Sequence, residues 1–147
     1  TPKEALETKI LQQRKWSNLF FAVKMTGTFA KMKTRAVQAS TPPFKTLRET
    51  ADDQAIFTAE NVAGTLIGYY APALFNGIAV GGFHVHFISA DKKTIAGHVL
   101  NYELANGEVL VQSFANLEQH FPVADDQYLQ HDFENDNIVD DLEHAEK

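Results

Sequence analysis

The sequence predicts a mainly β fold of the α+β class: an antiparallel, barrel-like sheet with a helix at each end of the chain. Runs rich in β-branched and aromatic residues recur between residues 19 and 113, and turn residues separate them. Apolar residues follow a helical spacing before residue 17 and again near residue 140. Because several short strands must hide their edges, we expect the sheet to close, fully or in part, into a barrel. The length of 147 residues suits a single domain, 1–147.

The first 17 residues are predicted to form the N-terminal helix. Thr1 can cap it, Pro2 suits the first helical position, and Glu4 stands where a capping box places a carboxylate. Alternating apolar and polar residues then predict strands at residues 19–25, 28–37, 55–60, 63–70, 82–89, 95–104 and 108–113.

Three turn signals separate pairs of these strands. They are Thr26-Gly27, the region of Asn61, and Asn106-Gly107. Each is expected to join two antiparallel neighbours.

The chain ends in an acidic tail, residues 123–147, which is predicted to carry one short helix. The net charge of −6 argues against nucleic acid or an anionic membrane as a partner. No apolar run is long enough to span a bilayer. Cysteine is absent, so histidine and carboxylate groups are the strong metal ligands that remain. A cytoplasmic location is the default expectation.

A histidine pair on one predicted strand is the main clue to function. His84 and His86 project from the same face of an extended strand, while Val85 and Phe87 face the opposite way, into an apolar layer. The next strand folds back beside the first and places His98 opposite the pair. Three converging imidazoles suit a divalent transition metal, above all zinc, with a coordination position left for substrate. Structural or solvent-facing histidines are the alternative. Three further histidines are predicted to be solvated: His120, His131 and His144.

Arg35 is the second candidate functional residue. Phe29, Lys31, Lys33 and Arg35 are predicted to share one strand face, and a loop follows directly. An arginine at such a place is either solvated or, if it points into the histidine pocket, suited to a substrate carboxylate.

Longer motifs surround these residues. In chain order they are KMTGTF at 24–29, KTR at 33–35, GYYAP at 68–72, NGI at 76–78, GFHVHF at 82–87, GHVL at 97–100 and EL at 103–104. In their order and spacing they resemble the alpha-acetolactate decarboxylase family, and the resemblance runs from about Asn18 to the C-terminus.

The resemblance implies a zinc-dependent enzyme that decarboxylates 2-acetolactate to acetoin and CO2 in the acetoin and butanediol pathway. The electron density left by CO2 would form an enediolate that the metal stabilises. The implied zinc ligands are His84, His86 and His98, and Arg35 corresponds to the active-site arginine, which would hold the substrate carboxylate. A homodimer is expected.

The family also brings a C-terminal glutamate to the metal, and Glu146 is the first choice for it, with Glu143 second. Glu146 would deliver a proton to the enediolate. Proteins of the family are considerably longer at the N-terminus, where another active-site glutamate lies, so no residue here corresponds to it. The sequence is therefore expected to be the C-terminal, zinc-binding part of a longer decarboxylase, or to need a partner segment that completes the site.

Two other functions fit parts of the pattern. A cupin-type metalloenzyme has a similar arrangement of Gly77, His84, His86 and a following acid, here Asp91, but the offsets and the acid type differ from the cupin motif. A non-catalytic ligand-binding barrel, in which histidines only line a pocket, is the other. Bound iron or manganese would favour the cupin-type metalloenzyme. The absence of a tightly bound metal would favour the ligand-binding barrel.

Overall fold

The computed structural model describes residues 1–146. Its elements, in chain order, are α1 (Lys3–Arg14), β1 (Phe21–Ala36), α2 (Leu47–Asp52), β2 (Ala55–Ala71), β3 (Gly82–Ser89), β4 (Ala96–Ser113), α3 (Asp126–Gln130) and α4 (Ile138–Glu146). Two 3-10 turns, Ala73–Phe75 and Phe133–Asn135, lie between them.

The four strands pair in a closed antiparallel cycle, in the order β1-β2-β3-β4. β1 pairs along most of its length with both β2 and β4, whereas β3 meets β4 through only three residue pairs, from His86↔His98 to Ile88↔Ala96. The predicted mainly β, barrel-like architecture with a helix at each end is confirmed. The weakest seam of the cycle lies beside the histidines.

The three predicted turns within the sheet are wrong, because each falls inside a continuous long strand. Gly27 pairs with Gly64 on β2 and with Gly107 on β4, so three glycines meet at one level of the barrel. A Cβ on Gly27 would lie 2.1 Å from the carbonyl oxygen of Asn106, far inside contact distance. These glycines therefore allow neighbouring strands to lie close together, and they do not form turns. Asn61 keeps a positive φ of 49° within β2.

The predicted face of β1 is partly wrong as well. Lys31, Lys33 and Arg35 do share the outer face, but Phe29 is fully buried on the inner side. The register with β4 shifts between Phe29 and Lys31. Up to Phe29 the buried residues of β1 have odd numbers, and after the shift they have even numbers, beginning with Met32. Such an irregularity reverses the alternation of side chains, which a strict period of two does not anticipate.

Apolar side chains of the four strands fill the barrel, and α1 covers it through Leu6 and Ile10, both buried. The predicted cap of α1 is wrong: Pro2 is the N-cap residue, and no side chain caps the helix. Val85 and Phe87 are buried in the barrel, as predicted. Because neighbouring residues of a strand face opposite ways, this burial directs His84 and His86 outward.

The acidic tail carries the predicted terminal helix, α4, and also α3 and a 3-10 turn that the sequence pattern did not predict. Asp125 is the N-cap residue of α3, and its side chain accepts a hydrogen bond from the Tyr128 backbone N–H at 3.1 Å. Ala145 on α4 is buried, so α4 lies against the body of the domain. Among residues 1–146, no helix has the length and apolar character that crossing a membrane requires.

Candidate metal centre

Three imidazoles converge on the outer side of the seam between β3 and β4. One ring nitrogen from each of His84, His86 and His98 lies within 4.8 Å of the others. The Nε2 atoms of His84 and His86 are 3.2 Å apart, and the ring centroids of His84 and His98 are 4.9 Å apart. The convergence that strand spacing predicted is therefore present in the fold.

Backbone packing sets the position of His98. It pairs with His86 on β3 and with Arg35 on β1. Gly97, with φ of 131°, allows β4 to approach β1 so closely that a Cβ there would lie 2.5 Å from the Arg35 carbonyl oxygen. The buried Thr34 hydroxyl fastens the same junction, since it donates a hydrogen bond to the Ala96 carbonyl at 3.0 Å.

Glu146, near the end of α4, brings a carboxylate to the cluster. Its Oε2 lies 2.5 Å from Nδ1 of His84 and 3.9 Å from Nε2 of His98. The same oxygen is buried and makes no hydrogen bond, so its short contact with His84 is an ion pair without hydrogen-bond geometry. A buried carboxylate oxygen that no hydrogen bond satisfies, beside three imidazoles, suits a zinc ion. The residues present therefore fit the metal.

Glu143, the second choice for this role, contacts a different part of the protein. It accepts a hydrogen bond from the Asn76 side-chain amide at 3.2 Å. Of the two glutamates, Glu146 is thus the one that the fold places at the imidazoles.

The pKa shifts of His86, His98 and Glu146 favour their metal-binding protonation states, whereas the shift of His84 favours its charged form. Burial, followed by the positive charge of Arg35, lowers the pKa of His98 to about 4, and burial together with His84 lowers the pKa of His86. The close contact with Glu146 raises the pKa of His84. Burial alone would raise the pKa of Glu146, but His84, His98 and Arg35 together lower it. Neutral imidazoles and an ionised carboxylate are the forms that bind zinc.

Arg35 lies beside the cluster and is half-buried. Burial lowers its pKa, and the charge of Glu146 opposes that effect. The Arg35 guanidinium stays positively charged next to the imidazoles. The hypothesis that Arg35 binds a substrate carboxylate requires this charge.

A cavity of about 260 Å³ opens beside His84 and Glu146, where β3 and β4 no longer pair. Its lining residues are Lys3, Val80, Gly81, Phe83, His84, Val99, Leu100 and Glu146. The sequence pattern did not predict the apolar wall or Lys3, because only tertiary packing brings α1 and the segment before β3 together. A larger cavity, about 800 Å³, lies elsewhere, across Lys31 and Tyr102, and shares no lining residue with the metal centre.

The remaining histidines lie outside the cluster, and each contacts an acidic residue. His120 is paired with Glu118 at 2.7 Å, His131 with Asp136, and His144 with Asp52 at 2.6 Å. These pairs are exposed, in line with the predicted solvation. His144 also links α4 to α2, a contact that the sequence pattern did not predict.

Comparison with known proteins gives the family. Residues 1–135 match the family model described as alpha-acetolactate decarboxylase. The chain belongs to the alpha-acetolactate decarboxylase family. It is 36% identical over 145 residues to the alpha-acetolactate decarboxylase of Bacillus licheniformis, covering 99% of this chain and 56% of that protein. With the enzyme of Brevibacillus brevis, it is 41% identical over 120 residues, which cover 81% of this chain and 42% of the relative.

Solved structures agree with this family assignment. The crystal structure of alpha-acetolactate decarboxylase from Bacillus subtilis strain 168 superposes with a TM-score of 0.90 at 32% identity, covering 99% of this chain and 62% of that one. The chain thus spans a little over half of the length of most relatives that it matches. The match to the family model ends at residue 135 and does not include Glu146. The placement of Glu146 at the imidazoles therefore rests on the geometry of this chain.

Proposed function

We propose that this chain is the zinc-binding part of an alpha-acetolactate decarboxylase, which converts 2-acetolactate to acetoin and CO2. The observation that carries the proposal is the convergence of three imidazoles and a buried carboxylate oxygen that makes no hydrogen bond, in a chain of that family. The two hypotheses of a cupin and of a non-catalytic barrel gain no comparable support.

His84, His86 and His98 would hold the zinc ion, with Glu146 beside them. Three protein ligands leave coordination positions for substrate oxygens, as catalytic zinc sites require. When bound, zinc would supply a Lewis acid at the place where negative charge develops as CO2 leaves.

Arg35 would hold the substrate carboxylate through its fork of N–H donors. The guanidinium is next to His98 across the β1–β4 pairing and close enough to Glu146 to influence its pKa. A bidentate contact would fix the plane of the carboxylate and so orient the bond that breaks.

Glu146 would move the proton that the reaction needs at carbon. Its lowered pKa keeps it ionised before substrate binds, so Oε2 can accept the proton of the substrate hydroxyl group. After CO2 leaves, Oε2 returns this proton to the carbon that carried the carboxylate, and a solvent proton restores the hydroxyl. A base and acid of this kind must lie within hydrogen-bond reach of the reacting atoms, and Glu146 borders the cavity.

Acetoin formation from racemic 2-acetolactate tests the proposal. The assay compares zinc-loaded protein, chelator-treated protein and chelator-treated protein with zinc restored, alongside His98→Ala and the exposed control His120→Ala. We expect zinc-dependent acetoin in the wild type and in His120→Ala and none in His98→Ala. Bound zinc without acetoin would refute decarboxylation by this chain; neither zinc nor acetoin would favour the binding barrel.

The predicted homodimer, the cytoplasmic location and the single-domain organisation stay predictions. Sedimentation of the zinc-loaded chain tests the first of them directly.

A further inference from the structure

We infer that Asn76 is a positioning residue that holds Glu146 against the histidine cluster. Its importance for turnover rests on the proposed function, whereas the contact itself does not. Asn76 follows the 3-10 turn Ala73–Phe75, in the connection between β2 and β3. Within residues 1–146 the side-chain hydrogen bonds of Asn76 reach Gly81 and Glu143, so its effect on the histidines is transmitted through α4.

The Asn76 side chain bonds two parts of the protein at once. Its Oδ1 accepts a hydrogen bond from the Gly81 backbone N–H at 3.3 Å, and its Nδ2 donates to Oε1 of Glu143 at 3.2 Å. Gly81 belongs to the wall of the cavity beside the metal centre. Glu143 lies three residues before Glu146 on α4, so the two share a helical neighbourhood. One amide therefore joins the cavity wall to the helix that carries the carboxylate.

The connection that carries Asn76 is itself firmly held. The backbone N–H groups of Ile78 and Ala79 donate to the Phe75 carbonyl at 3.1 and 3.2 Å. The Phe75 ring packs on Phe20, with centroids 5.2 Å apart. Asn76 is thus fixed to the body of the barrel and gives α4 a stable partner.

α4 has a further polar attachment that is equally exposed. It reaches α2 through His144–Asp52 at 2.6 Å and Arg48–Asp141 at 3.9 Å, and all four side chains are partly or largely exposed. Exposed pairs of this kind contribute little, and α2 has no buried residue of its own. The bond from Asn76, itself exposed, therefore ties α4 to the barrel, beside the direct contacts of Glu146 with His84 and His98. It helps to set how closely Glu146 approaches His84.

The test reads the position of Glu146 directly, without metal or substrate. The imidazole ¹⁵N resonances of His84 are recorded at one fixed pH in metal-free wild type, Asn76→Ala, Glu143→Leu and Glu143→Gln. Glu146→Gln supplies the reference for a lost carboxylate. Asn135→Ala is the matched control, since the Asn135 side-chain amide donates a hydrogen bond to Asp132 in the acidic tail.

We expect Asn76→Ala and Glu143→Leu each to shift the His84 resonance at least halfway toward its position in Glu146→Gln. Glu143→Gln keeps an acceptor oxygen for Asn76, and it should resemble wild type, as should Asn135→Ala. In the zinc-loaded protein, turnover by Asn76→Ala should fall about fivefold, because a hydrogen bond of about 1 kcal/mol corresponds to that factor.

Two results overturn the inference: an unmoved His84 resonance in both Asn76→Ala and Glu143→Leu, or an unmoved resonance in Glu146→Gln. The Glu143 variants keep the test valid if Asn76→Ala folds poorly. If the resonances shift as expected but the wild type forms no acetoin, the proposed function fails and the positioning role stands.

Discussion

Gly68→Ala would displace the strand that carries two of the three histidines. Gly68 on β2 pairs with Val85 on β3, and a Cβ there would lie 2.0 Å from the His84 carbonyl oxygen and 2.7 Å from the Val85 Cα. Real Cβ atoms essentially never approach within 3.0 Å, so β3 must move by roughly 1 Å, the difference between 2.0 and 3.0 Å. Overpacking of this kind costs about 1–3 kcal/mol of the free energy of unfolding.

The same displacement should also lower the activity of the folded protein. A displacement of roughly 1 Å at a reacting site can lower a rate by on the order of 100-fold. We therefore expect kcat/KM of the zinc-loaded protein to fall by about that factor, with weaker zinc binding. Urea unfolding, zinc competition with a chelator and acetoin formation provide the three readouts.

Gly107→Ala is the matched control. Its Cβ would meet the Thr26 carbonyl oxygen at 2.5 Å, between β1 and β4, at a level of the barrel far along the strand from His98. It should lose comparable stability while the folded protein keeps its zinc affinity and kcat/KM. Wild-type kcat/KM in Gly68→Ala, or an equal loss in Gly107→Ala, would refute the reasoning.

Three other variants test the packing and the electrostatics. Burial raises the pKa of Glu7 to about 7, above its unfolded value, so its stabilising contribution is complete below about pH 4.5 and is lost as the pH rises through 7. Glu7→Gln should therefore flatten the fall in unfolding free energy between pH 5 and 8, by about 1–2 kcal/mol after allowance for solvent screening; an unchanged slope in urea titrations would contradict this. Thr34→Val removes the buried bond to the Ala96 carbonyl and should cost about 1 kcal/mol, which chemical denaturation would show; wild-type stability would argue against it. Arg35→Lys keeps the charge but loses the bidentate fork, so kcat/KM should fall roughly tenfold with zinc content unchanged; full activity would remove Arg35 from its proposed role.

The histidine cluster could be predicted from the sequence because it depends on local rules. Alternation along β3 places His84 and His86 on one face, and a short return places His98 beside His86, where the register confirms it. Burial of Val85 and Phe87 determines which face that is. Nothing beyond strand periodicity is needed for this part of the site.

Strand lengths could not be predicted in the same way. Glycine at 27 or 107 has the same local signature whether the chain turns or whether neighbouring strands approach closely, and only the paired strands distinguish the two cases. The shift after Phe29 is a property of its pairing with β4, which a single strand does not encode locally.

Other parts of the site depend on contacts between residues that are distant in sequence. Glu146 lies 48 residues from His98. Only the packing of α4 on the barrel shows that Glu146, and not Glu143, is the glutamate beside the imidazoles. Lys3, Asn76 and the cavity wall come from three separate segments. Spacing carries no information about such contacts, so tertiary structure was needed to find them.

We propose that the three histidines bind one zinc ion that the substrate can reach, with Glu146 beside the metal. Zinc X-ray absorption of the loaded chain, with and without 2-acetolactate, tests it most directly. We expect three imidazole nitrogens and at least one oxygen at about 2.0–2.2 Å, with the oxygen shell changing when substrate is added and the three imidazoles retained. A zinc environment with fewer than three imidazoles, or one that 2-acetolactate leaves unchanged, would contradict the account.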